Sequence, residues 1–130
     1  MLENTSQLML DFKKLSKIHH DVIPVVIQDF FTKDVLILAY TNKAAFEKTI
    51  QKKEVVLFST SKGKLWEKGK SSGQYLELIE ARVNCEQNSL LYLVRLKGQG
   101  ACHTKTKEGL YNTSCFYRRI QDDLNLNGLS

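Results

Sequence analysis

Three cysteines, Cys85, Cys102 and Cys115, are the residues of this chain best equipped for chemistry, and a histidine, His103, follows the second directly. Thiolates are soft ligands, so three of them suit Zn2+, and a structural zinc normally takes a fourth ligand from the protein. With no fourth cysteine, either His103 closes the site or water fills the last position. In the second case the ion is open for catalysis. The competing reading of any one cysteine is a small buried hydrophobe. All three, however, fall in or beside polar stretches rather than within apolar runs. The spacing matches neither the C-x-x-C pairs of zinc ribbons nor the H-x-E with P-C-x-x-C signature of zinc deaminases. A disulfide framework fits least: the count is odd, and a chain of 130 residues buries roughly two-thirds of its unfolded surface without staples.

A second stretch has binding chemistry. "STSKGKLWEKGKSSGQ", residues 59–74, interleaves Lys62, Lys64, Lys68 and Lys70 with Ser59, Ser61, Ser71 and Ser72 around Gly63, Gly69 and Gly73. Glycines admit close backbone approach, hydroxyls and amide N–H groups donate to phosphate oxygens, and lysines supply charge. Trp66 offers a face for stacking or a wall for a pocket. A solvated hairpin turn bearing surface lysines has the same composition, and no Walker or Rossmann pattern decides between the two.

The elements that must position these residues follow from periodicity. "VIPVVIQDFF" and "DVLILAY" read as strands joined by a turn, and "TNKAAFEKTIQKK" as a helix capped by Thr41 or Asn42. "EVVLFSTS" is a strand, followed by the turn "KGK" and the loop "WEKGKSSGQ". "YLELIEARVN" and "SLLYLVRLK" pair as a hairpin across "CEQN". Leu8, Phe12 and Leu15, spaced i, i+4, i+7 behind the candidate caps Thr5 and Ser6, predict a helix over 6–18. The expected architecture is a single α+β domain over 1–130, mainly antiparallel sheet with a few helices. Residues 1–20 are a helical extension and 121–130 a tail.

Strand length adds a constraint on the cysteines. An extended run over 89–96 carries the chain roughly 25 Å from Cys85, whereas residues 97–102 return at most about 20 Å. A second, antiparallel copy would place Cys85 of one subunit against Cys102 and Cys115 of the other, the natural geometry of a two-fold homodimer. The reading is a shared, interfacial metal site.

Charge and composition limit the setting. The net charge of +5 favours anionic partners without choosing among nucleotides, nucleic acid and membranes. No apolar run approaches the roughly 20 residues that span a bilayer. Asp11, Lys13 and Lys14 interrupt any signal-peptide core, so the expected compartment is the cytoplasm, where thiols stay reduced.

The segments "VIPVVIQD", "VLILAYTNKAAFEKT", "FSTSKGKLWEKGKSSG", "NCEQNSLLYLV", "GACHT" and "SCFYRRI", in that order, resemble the phosphoribosyl-AMP cyclohydrolase family of histidine biosynthesis. The likeness runs over about residues 22–120, and the W-x-K-G-x-[ST]-S-G loop combined with A-C-H-T and S-C-F-Y-R is specific. It implies a β-rich homodimer that hydrolyses the N1–C6 bond of a purine ring carrying a second ribose phosphate on N1. By that resemblance Cys85, Cys102 and Cys115 share a zinc between subunits, and the zinc activates a water. His103 would move a proton between that water and the ring nitrogen, or act only through a hydrogen bond that orients its neighbours. Ser59, Ser61, Trp66, Lys68, Gly69, Ser71, Ser72 and Gly73 would line a pocket for a phosphorylated nucleotide, with neither nucleic acid nor membrane as partner.

The chain departs from the family pattern in three places. Where the family has an acidic D-C-D-x-D stretch that holds Mg2+, this chain has Asn84, Glu86 and Asn88 around Cys85, and neutral amides bind that ion less well. The segment between Cys102 and Cys115 is about six residues longer than usual, an insertion that costs little but can reshape a pocket rim. Lys105 stands where the family often has glycine. Two alternatives follow: a divergent paralogue acting on another purine or pterin nucleotide, and a non-catalytic zinc-stapled dimer that binds nucleotides.

Overall fold

The computed structural model describes residues 3, 5–70 and 73–128. A four-stranded sheet in the order β2-β1-β6-β5 forms its centre. Strand β1 (Ile23–Asp29) pairs antiparallel with β2 (Val35–Thr41). Buried Asp29 sets the turn between them by accepting the N–H groups of Phe31 and Thr32 at 2.8 and 3.1 Å. Helix α1 (Lys43–Lys52) begins where Asn42 Oδ1 accepts from Ala45 N at 2.8 Å, and ends where Lys53 turns left-handed at φ 59°.

Residue Thr49 ties the helix to the next element. Its buried hydroxyl accepts from Val56 N at 2.9 Å and reaches the Ala45 and Val56 carbonyls at 3.0 Å. Val56 opens β3 (Val56–Ser59), which forms a hairpin with β4 (Lys64–Glu67). The hairpin of β5 (Leu76–Val83) and β6 (Leu90–Leu96) then completes the central sheet, with β6 lying parallel to β1. Val25, Ile27, Leu36, Leu57, Leu76, Tyr92 and Val94 form the buried core. These are mostly apolar side chains at alternate strand positions, which is how a sheet covered on one face buries its surface. Beyond β6, a long loop carries Cys102 and Cys115 before a last hairpin of β7 (Arg118–Ile120) and β8 (Leu126–Gly128).

The α+β, mainly antiparallel reading agrees with this fold, and three local expectations are corrected. No helix covers 6–18: Gln7 bridges Asn125, and only Leu15–Lys17 forms a 3-10 turn. Asp11 Oδ1 accepts from Lys13 N and Lys14 N, which starts a turn in mid-segment, while Leu10 and Phe12 stay exposed and give a helix no apolar face to bury. The described chain thus has one α-helix rather than a few. Trp66 and Glu67 belong to a strand, not a loop, and part of the expected tail forms β8.

Candidate active site

The loop after β6 and the segment before β7 cross in a backbone lattice. Ala101 N donates to Thr113 O at 3.0 Å, Cys102 N to Asn112 O at 3.1 Å, and Cys115 N to Leu36 O at 2.8 Å. The crossing brings two sulfurs into hydrogen-bonding contact, Cys102 buried and Cys115 exposed. The hydrogen bond with Cys115 pulls the Cys102 thiol down to about 5, against the cost of its burial, and Thr104 adds to the pull with its Oγ1 at 2.9 Å from Cys102 Sγ. Cys115 shifts the opposite way because its thiol stays protonated beside that thiolate. Over the neutral range the two sulfurs hold one proton between them.

Lys68 also belongs to this end of the molecule. It is only 5% exposed, donates to the Gln74 carbonyl at 3.4 Å and lies 6.0 Å from the Trp66 ring. Burial lowers the pKa of its ammonium, and the Cys115 and Cys102 sulfurs oppose that effect. Gln74 supports the same loop, since its Oε1 accepts from Gln99 N and Gly100 N.

Cys85 does not join them within one protomer. It is exposed in the β5–β6 turn beyond the Val83–Leu90 pair, whereas the chain leaves toward Cys102 from the opposite end of that hairpin, beyond Leu96. The seven residues of β6 span about 20 Å. Among the described residues, no group of three or more His, Cys, Asp or Glu side chains is placed to hold a metal. Two converging soft sulfurs nonetheless fit zinc, if a third comes from outside the protomer.

A cleft of about 710 Å³ opens beside this centre. Ser59, Ser61 and Trp66 line it from the β3–β4 hairpin, and His103 lines it as well. Lys14, which lies outside the motifs read from the sequence, contributes another wall. Ser59 Oγ and Ser61 Oγ are 3.3 Å apart, and the His103 ring is exposed with Nε2 at 3.7 Å from Glu3 Oε1. Three of the eight expected pocket residues, together with Lys62 and Lys64, thus line one cleft with the candidate proton carrier. Lys68 instead points inward to the thiols. Gly69 and Gly73 serve the backbone: both have positive φ, and a Cβ on Gly69 would lie 2.6 Å from Tyr75 N. Ser71 and Ser72 lie outside the described residues.

The turn around Cys85 does not fit Mg2+. Asn84 Oδ1 already accepts from Asn88 N and Ser89 N at 2.9 and 3.0 Å, and Asn88 Oδ1 accepts from Asn84 Nδ2 at 2.7 Å. Glu86 is the one carboxylate there, and its Oε2 lies 3.4 Å from Asn88 Nδ2. The turn uses as acceptors the oxygens that a hard cation needs.

Sequence reasoning missed Thr104 and Gln74. Thr104 stands within the quoted "GACHT", but its contact with sulfur depends on Asn112 Nδ2, which donates to Thr104 Oγ1 at 2.9 Å from across the loop. Gln74 sits at the end of a polar run that looks the same whether it is a strut or solvated.

The sequence profile of the phosphoribosyl-AMP cyclohydrolase family matches residues 37–117. The phosphoribosyl-AMP cyclohydrolase of Archaeoglobus fulgidus is 45% identical over 102 residues, 78% of this chain and 88% of that protein. That of Streptococcus mutans serotype c is 41% identical over 115 residues, 88% of this chain and 95% of its own length. The chain belongs to the phosphoribosyl-AMP cyclohydrolase family. The histidine biosynthesis bifunctional protein HisIE of Caldanaerobacter subterraneus subsp. tengcongensis is 39% identical over 115 residues, and the chain spans only 53% of its length. As a cyclohydrolase-family enzyme the protein carries all three cysteines, the β3–β4 hairpin and His103 within the matched segment, whereas β1 and β8 fall outside it.

Proposed function

We propose that this enzyme hydrolyses phosphoribosyl-AMP in histidine biosynthesis, opening the N1–C6 bond of its purine ring at a zinc shared between two subunits. The convergence of Cys102 and Cys115 beside the cleft that His103 lines is the observation that carries the reading. Cys85, exposed and remote in its own protomer, is the third ligand, supplied by a second copy. When bound, zinc supplies a water acidic enough to attack near neutral pH.

The chain's own groups do the rest. The Trp66 ring offers a face to the purine, while Ser59 and Ser61 present hydroxyls and Lys62 and Lys64 positive charge to phosphate oxygens. His103 takes a proton from the attacking water and delivers it to N1 as that nitrogen leaves C6. The water oxygen becomes the carboxamide oxygen of the opened ring, and its second proton passes to the exocyclic nitrogen on C6, which becomes the carboxamide NH2. Lys68 holds positive charge against the thiolates, offsetting their mutual repulsion. No step uses Mg2+.

Subunit mixing tests this directly. Cys85→Ser and Cys102→Ser proteins, each inactive alone, should regain ring-opening activity and zinc when unfolded together and refolded, because a mixed dimer contains one intact ligand set. If the mixture stays inactive, the shared centre is wrong. If the zinc-loaded wild-type protein leaves phosphoribosyl-AMP unopened, the activity itself is wrong.

A further inference from the structure

A second cleft, of about 610 Å³, lies on the other side of the Cys102 loop between the 104–112 arm and the β7–β8 hairpin. Lys105, Thr106 and Lys107 line it from the arm, Tyr117 and Arg118 from the base of β7, and Glu108 is the one carboxylate among its described lining residues. The arm is built, not frayed. Lys105 bridges Tyr111, Thr106 N donates to Leu110 O at 2.7 Å, Asn112 N donates to Thr104 O at 2.9 Å, and Gly109 makes the bend at φ 83°.

Several surface cations are neutralised where they stand. Lys52, Lys70, Lys97, Arg82 and Arg95 each face a carboxylate. Among the described residues Lys105 and Lys107 face none, although Lys105 Nζ lies 5.0 Å from the Tyr111 ring. The guanidinium of Arg118 is held by the Thr5 carbonyl at 2.8 Å and lies 5.0 Å from the Tyr117 ring. Cations gathered in a concave site where they outnumber the carboxylates raise the local concentration of anions.

The two clefts are coupled through the chain. His103 lines the first, Thr104 is buried against Cys102, and Lys105 lines the second. The Cα atoms of His103 and Lys105 are therefore no more than about 7.6 Å apart. His103 and Lys105 thus set the two clefts on either side of the buried Thr104 in sequence.

We propose that the Lys105–Lys107–Arg118 cleft is a phosphate subsite that takes one of the two terminal phosphates of the substrate, the other lying in the serine-lined cleft. The assignment to substrate rests on the function proposed above; the phosphate site does not. The test compares the zinc-loaded wild-type protein with Lys105→Ala/Lys107→Ala and with the control Lys13→Ala/Lys48→Ala, which removes equal charge outside both clefts. The subsite variant should raise KM for phosphoribosyl-AMP by about 10-fold or more with kcat little changed, as expected when binding is lost equally from ground and transition states. Inorganic phosphate should raise the melting temperature of the wild-type and control proteins more than that of the variant. If phosphate stabilisation falls but KM does not, the site belongs to another anion and the substrate assignment is overturned. If neither changes relative to the control, there is no phosphate subsite. If the wild-type protein opens no ring yet loses phosphate stabilisation on substitution, the site stands and the proposed reaction does not.

Discussion

The two ends of the β5–β6 hairpin each carry a cysteine in a polar loop, and they are built on opposite principles. At the Asn84–Asn88 end the turn satisfies itself: Asn84 Oδ1 accepts two backbone N–H groups, Gln87 takes a left-handed φ of 57°, and Cys85 stands exposed above this local frame. At the Cys102 end almost nothing is local. Gln74 braces the loop backbone, Asn112 and Thr113 close on it, Leu36 anchors Cys115, and Lys68 enters from the β4 side. A self-satisfied turn can present a side chain to another molecule with no help from distant segments. Perturbed groups arise where several segments exclude water together.

The largest expected blow to that contrast is Cys102→Ser. Zinc content and kcat/KM should fall by more than the about 100-fold typical of losing an outer-shell partner, as read by metal analysis and the absorbance change of ring opening. Thr104→Ala comes next. It removes the hydroxyl at 2.9 Å from Cys102 Sγ and should weaken zinc binding by about 10- to 100-fold in competition with a chromophoric chelator. An unchanged affinity would mean that this hydroxyl does not tune the sulfur.

The acidity of the thiol pair sharpens the comparison in the metal-free protein. Cys102 is depressed to about 5 and Cys115 is raised, whereas an unperturbed thiol titrates near 9.0. Between these values the folded pair holds one proton and the unfolded pair two. Stability should therefore rise with pH from about 5 to 9 and decline above it, where the unfolded chain releases both protons and the folded one keeps its last. Thiolate absorbance should show one sulfur ionised at neutral pH, and urea unfolding across the range should give the stability profile. A flat profile would remove the distinction between the two ends.

The smallest effect should come from Asn84→Ala. It strips two acceptor contacts from a solvent-facing turn and should cost about 1 kcal/mol in urea unfolding. With zinc saturating, adding Mg2+ to either protein should leave the rate unchanged. A rate that depends on Mg2+ would show that the turn does hold the hard cation.

Much of the scaffold was legible from short-range pattern. The alternation in "VIPVVIQD" and "VLILAY" sets β1 and β2, Asn42 caps the one α-helix, and "YLELIEARVN" with "SLLYLVRLK" folds as the hairpin it suggests. The pattern misled at Leu8, Phe12 and Leu15, where helical spacing exists but no partner surface covers it. It also hid β7 and β8, three-residue strands too short for alternation to register. Of the site, the serines and Trp66 were recognisable by chemistry, whereas Thr104 and Gln74 act through partners far along the chain.

The amino-acid sequence by itself determined β1, β2, β3, β5 and β6, the helix with its cap, and the inventory of sulfur, hydroxyl and cation, because each depends on residues within a few positions of one another. Only the tertiary structure decided that Cys102 meets Cys115, that Cys85 stays apart, and that Lys68 turns inward while Lys105 opens onto a cleft of its own. Those outcomes follow from the parallel docking of β6 on β1 and from loops closing over the end of the sheet. No local period encodes them, since the contacting groups are joined through the whole fold and not through neighbouring bonds.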